Sequence, residues 1–136
     1  MNNLKIKLIS PEESVESGEN SKSYFDKFIS SINEKTLLIS HPLVSNVSGE
    51  IFDIQSLSTE AKKVKAFFIS DMTSAAGHIE INVKDLGIHA GYFGGHKMCG
   101  PTGVGVLYID RNFSRAMSPV SFGGGMVWEV NDETSN

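Results

Sequence analysis

Between Gly94 and Gly105 the chain carries five glycines and a proline, set in Gly91-Tyr-Phe-Gly-Gly-His-Lys-Met-Cys-Gly-Pro-Thr-Gly-Val-Gly-Val-Leu-Tyr-Ile109. Glycine lets a backbone adopt positive φ and approach a ligand closely. The stretch therefore reads as a loop on a sheet edge, entered by one extended segment, Ile88 to Phe93, and left by another, Val104 to Ile109. His96 and Lys97 are enclosed within it.

A lysine held between glycines suits a small anionic ligand, and pyridoxal phosphate is one that also needs a lysine, as a Schiff base. Two commoner phosphate motifs are excluded. A P-loop needs Gly-Lys followed by Ser or Thr, whereas Gly95-His96-Lys97-Met98 has neither the order nor the hydroxyl. A dinucleotide fingerprint needs glycines that open a helix, whereas Gly103-Val104-Gly105 opens an apolar, strand-like run.

At 136 residues the chain is one domain by size, long enough to bury a core. A net charge of −4 gives no basic footprint for nucleic acid. The single cysteine, Cys99, excludes an internal disulfide and fits a reducing compartment. The N-terminal residues lack a secretory core, and no apolar run approaches the roughly 18 residues of a membrane span. The expectation is a soluble cytoplasmic protein with no nucleic-acid or membrane partner. No metal site is read from the sequence.

Read in order, Leu4 to Ile9 alternates apolar and charged residues and predicts a half-buried strand. Acidic Pro11 to Lys22 predicts a solvated loop. Tyr24, Phe25, Phe28, Ile29 and Ile32 predict an amphipathic helix over Ser21 to Asn33. Thr36 to Ser40 is a short apolar strand that His41-Pro42 breaks or bends, and Ser48-Gly49 is a turn. Asp53 to Lys63 is a helix with Ile54, Leu57 and Ala61 on one face. Ala66 to Ser70 reads as a strand buried on both faces, ending in Asp71. Asn82 to Leu86 belongs to a second connection. Arg111 to Met117 forms a helical turn or two. Gly123 to Gly125 is a flexible or closely packed segment. Residues 1–130 form the domain and 131–136 a polar tail.

Strands alternating with helices predict an α/β fold with a mainly parallel sheet and flanking helices. Ligands of such sheets sit beyond the carboxyl ends of the strands. Asn46, Asp71 and His96-Lys97 each follow a predicted strand. With strands about 4.8 Å apart, these ends can reach one flat ligand. From Asp71 to Lys97 there is room for a crossover of about a dozen residues. An acid beside a pyridine nitrogen keeps the ring an electron sink, and Asp71 is the candidate. The residues alone equally admit Asp71 as the cap of the turn after it.

Phe93 to Tyr108 resembles the cofactor-lysine segment of the cysteine desulfurase and selenocysteine lyase family. These are class V aminotransferase-like pyridoxal phosphate enzymes of fold type I. Their usual spelling is Phe-Ser-Gly-His-Lys, a hydrophobic residue, Tyr, then Gly-Pro-Thr-Gly. Val64 to His78 is similar to the family strand that ends in Asp-Gly-Ala-Gln, and Val44 to Gly49 resembles Val-Ser-Asn-Val-Leu-Gly. The likeness runs from about Leu4 to Gly125.

The resemblance implies pyridoxal 5'-phosphate as cofactor and Lys97 as the catalytic Schiff-base lysine. It implies Asp71 on the pyridine nitrogen, with His96 and Asn46 as further cofactor contacts. Ser74 stands at the position of a glutamine that meets the phenolic oxygen, and Gly94 replaces a serine phosphate ligand. The implied substrate is a cysteine-like amino acid, and the implied assembly a homodimer. The likeness covers the middle of the large domain only. The expectation is a fragment or truncated copy of a cysteine desulfurase with little activity alone. It would lack the upstream phosphate loop and the downstream small domain with its sulfur-accepting cysteine. Cys99 takes the place of a tyrosine and reads as a small packed hydrophobe. His41 and His78 read as structural or exposed. Two alternatives stay open: a non-catalytic α/β interaction module or remnant, and another class V pyridoxal phosphate enzyme.

Overall fold

The computed structural model of the chain describes residues 4–10 and 21–118. The acidic loop over residues 11–20, the glycines at 123–125 and the polar tail lie outside the described residues. Four strands form one sheet in chain order: β1 (Leu38–Pro42), β2 (Phe67–Asp71), β3 (Ala90–Gly94) and β4 (Gly105–Ile109). β1, β2 and β3 run parallel, while β4 returns antiparallel to β3 through the glycine loop. The helices are α1 (Ser21–Ser30), α2 (Ile54–Lys63), α3 (Val83–Leu86) and α4 (Arg111–Ala116). This is the predicted mixed α/β architecture with a mainly parallel sheet.

The β1–β2 crossover is made by α2. Its start is fixed by Asp53, whose carboxylate accepts from the Ser56 amide at 3.0 Å and the Ser56 hydroxyl at 2.6 Å. Ile54, Leu57, Ser58 and Ala61 recur at helical spacing and are all buried. Lys62 and Lys63 occupy the last turn, where cations oppose the helix dipole favourably. The β2–β3 crossover is shorter. Asn82 caps α3 by accepting from the Lys84 amide, and Gly87 ends it at φ 66°.

Register decides the two faces of the sheet. Ile39, His41, Phe68, Ser70 and Gly91 point to one face and are buried there beneath α2 and the aromatic side of α1. Leu38, Tyr92 and Leu107 point to the other and stay 50, 41 and 63% exposed. Phe67 and Ile69 on that outer face are half-buried, so β2 is not covered on both sides as its continuous apolar run suggested.

Four further expectations are corrected. Leu4 to Ile9 is not a strand: among the described residues its alternation has no neighbour to pair with, and Leu4, Ile6 and Leu8 are 74, 89 and 89% exposed. His41-Pro42 does not break β1 but completes it, pairing with Ser70 and Asp71. Proline is tolerated because β1 is an edge strand. Cys99 is exposed at φ 62° rather than packed. Helix α1 stops at Ser30, where the Ser31 hydroxyl bonds the Phe28 carbonyl, short of the predicted Asn33.

His41 is buried to 2% exposure between Phe28 and Phe52, whose rings meet it edge-on at 4.9 and 4.7 Å. Its Nδ1–H donates to the Pro42 carbonyl at 2.7 Å, so Nε2 accepts from the Tyr24 hydroxyl at 3.3 Å. Burial lowers the His41 pKa, which keeps the ring neutral as this pairing requires. The contact ties α1 to the sheet at the end where the functional residues gather.

Candidate functional site

The parallel strands β1 and β2 end side by side, at Pro42 and Asp71, and β3 ends at Gly94 beyond Tyr92, the register partner of Asp71. A cleft of about 640 Å³ opens over these ends. That is a size suited to a small ligand or cofactor. Its walls include Asn46, Asp71, Ser74, His96 and Lys97, all five residues singled out from the sequence.

Each comes from a different piece of local structure. Asn46 sits in the turn after β1, which Ser45 ties by accepting amides of Val47 and Ser48. Asp71 is the last residue of β2, and its Oδ1 accepts from the Thr73 amide at 2.8 Å. The capping geometry and the cleft position thus coexist. Ser74 lies in the turn that follows. His96 and Lys97 form a 3-10 turn directly after β3.

Lys97 reaches across the cleft. Its amine donates to the side-chain oxygen of Asn46 and to the Ser74 hydroxyl, the latter at 3.0 Å. One cation is thereby held by two neutral oxygens, and the Asp71 carboxylate lies in the same cleft. Lys97 and Asp71 line one cleft.

The donor set and the backbone fit a flat phosphorylated aldehyde. An amine that can bond a carbonyl, a carboxylate that can hold a ring proton, and an amide and a hydroxyl between them all line one cleft. Beside them the backbone is stripped of side chains: a Cβ placed on Gly94 would lie 2.8 Å from the His96 ring. His96 thus fills the space that a serine at 94 would need. A Cβ on Gly95 would stand tight at 3.2 Å from the Pro101 carbonyl oxygen, and one on Gly100 would meet the Gly95 carbonyl oxygen at 2.8 Å, so the close fold of the loop requires glycine at 100.

Residues that the sequence did not single out also line the cleft. Tyr92 stands beside Asp71, and burial followed by the Asp71 charge raises its phenol pKa. Tyr24 and Phe52 close the opposite side from α1 and the segment before α2. Burial, then Glu50, raises the Tyr24 pKa, so the hydroxyl stays protonated and able to donate to His41. Their apolar spacing gave a core signal, with nothing to separate core from cleft. His78, read as structural or exposed, is exposed and donates from Nε2 to the Lys97 carbonyl at 2.8 Å. Cys99 is not among the cleft residues.

The family model of the aminotransferase class-V proteins matches residues 4–136. The chain is 38% identical to a probable cysteine desulfurase of Borreliella burgdorferi over 136 aligned positions, covering 94% of this chain and 29% of that protein. It is 41% identical to a probable cysteine desulfurase of Halalkalibacterium halodurans, covering 71% of this chain and 24% of the relative. Among solved structures, the apo cysteine desulfurase of Thermococcus onnurineus superposes with a TM-score of 0.71 at 36% identity, over 88% of this chain and 29% of that one. The S-sulfonic acid form of an Escherichia coli cysteine desulfurase gives 0.72 at 34% identity, over 82 and 28%. The chain thus spans under a third of the length of each of these relatives.

Proposed function

The chain belongs to the aminotransferase class-V family, and from that premise we propose that it is a pyridoxal phosphate-binding segment of cysteine desulfurase type. The observation that carries the proposal is the meeting of Lys97, Asn46 and Ser74 side chains in the cleft that Asp71 also lines. The parent activity we infer is removal of sulfur from L-cysteine.

When bound, the cofactor supplies an electron sink for the carbon beside the substrate amine. Lys97 would hold the cofactor at its aldehyde and would move a proton at the substrate carbon. The Asp71 carboxylate would hold the proton on the ring nitrogen. Its Thr73 contact fixes the carboxylate plane and reduces the reorganisation needed on binding. Asn46 and Ser74 hold the lysine amine over the cleft before the cofactor arrives. His96 rims the glycine loop beside the lysine, where it can meet the cofactor. The proposed segment includes no sulfur-accepting thiol at the cleft, so cofactor binding rather than turnover is its testable property.

The experiment is titration of the 136-residue chain with pyridoxal phosphate, followed by visible absorbance. A new band that disappears in Lys97→Ala is the expected result. No band in the unsubstituted chain would falsify the reading.

One observation favours a second reading, that of an interaction module. Leu107 and Val106 on edge strand β4, and Leu37 and Leu38 at edge strand β1, are all about half exposed or more. Size-exclusion chromatography with and without cofactor separates the two. Self-association that ignores pyridoxal phosphate, in a chain with no visible band, belongs to the module.

A further inference from the structure

The turn from Thr73 to His78 touches Lys97 at both ends. At the tip of the side chain, the Ser74 hydroxyl meets the amine at 3.0 Å. At the backbone, His78 Nε2 lies 2.8 Å from the Lys97 carbonyl oxygen. A carbonyl only accepts, so Nε2 carries the proton and donates. Between these contacts, Gly77 adopts φ +81° and lies so close to the next residue that a Cβ there would stand 2.7 Å from Met98 Cβ. The turn therefore presses on the lysine segment without an intervening side chain.

We propose that His78 is a positioning residue for Lys97. The 3-10 turn Gly95–Lys97 is short, and such turns hold their last carbonyls weakly. The amides of Met98 and Gly100 both go to the Gly95 carbonyl, at 3.1 and 2.8 Å. The Lys97 carbonyl is instead taken by His78. That bond fixes the Lys97 peptide plane, and with it the direction in which the side chain leaves the backbone toward Asn46 and Ser74. His78 does not need to touch a ligand to act. Its effect passes through the orientation of one amine, where a displacement of about 1 Å can cost roughly a hundredfold in rate.

The proposal rests on the cofactor-binding reading, and two readouts keep their failures apart. In the chain without cofactor, amide hydrogen exchange at Met98 and Gly100 reports the lysine turn. His78→Ala is expected to speed exchange there about threefold to tenfold, the range one net hydrogen bond supplies. His78→Gln, which returns an N–H donor at similar reach, is expected to restore protection. With pyridoxal phosphate present, borohydride trapping on Lys97 should slow by the same factor in His78→Ala and recover in His78→Gln. Unchanged exchange in His78→Ala, or loss that His78→Gln does not repair, overturns the positioning role. Altered exchange with no trapping in the unsubstituted chain leaves the clamp standing and overturns the cofactor reading instead.

Discussion

The Lys97 amine donates to the side-chain oxygen of Asn46, a residue 51 positions earlier in the chain. The two are brought together because β1 and β3 flank β2 as parallel strands, and the turns after them open on the same rim. Ser74, in the turn after β2, completes the bridge. Two strand ends thus deliver one side chain each to the amine that a third strand end supplies.

Ser74 is short for its place, since the family resemblance puts a glutamine there. Ser74→Gln is expected to tighten pyridoxal phosphate binding about threefold to tenfold, through an amide that can still accept from Lys97 and also reach the ring oxygen. The change in dissociation constant is read from the absorbance titration. A weaker or equal constant would show that the serine already serves the cleft.

Two glycines with similar backbones should respond differently to alanine. Gly49 and Gly77 have φ of +73° and +81°. Both substitutions carry the left-handed penalty of roughly 1–2 kcal/mol. Only Gly77 also has a neighbour in the way, Met98 Cβ at 2.7 Å, while the space at Gly49 is empty to 4 Å. Gly77→Ala should therefore lower stability by about 1 kcal/mol more than Gly49→Ala, measured by urea denaturation. Equal losses would mean that the Met98 contact relaxes without cost.

On the buried face of β2, Phe68 and Ser70 should behave oppositely. Both are 0% exposed. Phe68→Ala removes the largest fully buried side chain and should cost roughly 3–5 kcal/mol. Ser70 Oγ is buried with no hydrogen-bond partner among the described residues. Ser70→Ala removes a desolvated hydroxyl and should leave stability unchanged or raise it by up to about 1 kcal/mol. A substantial loss in Ser70→Ala would reveal a partner for that hydroxyl, such as an ordered water.

Stability should fall as the solution is acidified, beginning near the ordinary histidine pKa of about 6.5. Burial lowers the pKa of both His41 and His89. For His89 the Lys62 charge adds to this, and its Nδ1 accepts from the Phe68 amide at 3.0 Å. Below pH 6.5 the unfolded chain takes up protons that the folded chain refuses, so the folded state loses ground. A second loss is expected at lower pH, below the ordinary carboxylate range. There Asp53, whose pKa is lowered by its Ser56 hydrogen bonds, would be forced to take up a proton. Urea midpoints from pH 8 to about pH 2 measure both, and a flat profile across 6.5 would contradict the neutral state of the two rings.

The elements most legible in the sequence were those whose signal is local. The spacing of Ile54, Leu57 and Ala61 announced α2, because a helical stripe is a property of neighbouring residues. The stretch from Leu4 to Ile9 shows the limit. Its alternation satisfies strand chemistry, yet a strand exists only where another supplies the hydrogen bonds, and none among the described residues does. Tyr24, Phe52 and Tyr92 carried no sign of the cleft, since an aromatic residue looks the same to a core as to a wall.

By itself the sequence determined the alternation of strands and helices, the strand ends that could bear polar groups, and a loop of closely spaced glycines around His96 and Lys97. Tertiary structure alone decided that β4 turns back antiparallel, that His78 closes on the Lys97 carbonyl, and that one sheet face stays open. The division is physical. Backbone propensity and side-chain spacing act over a few residues and are written locally, whereas pairing direction and contacts between distant turns are settled only when the whole sheet assembles.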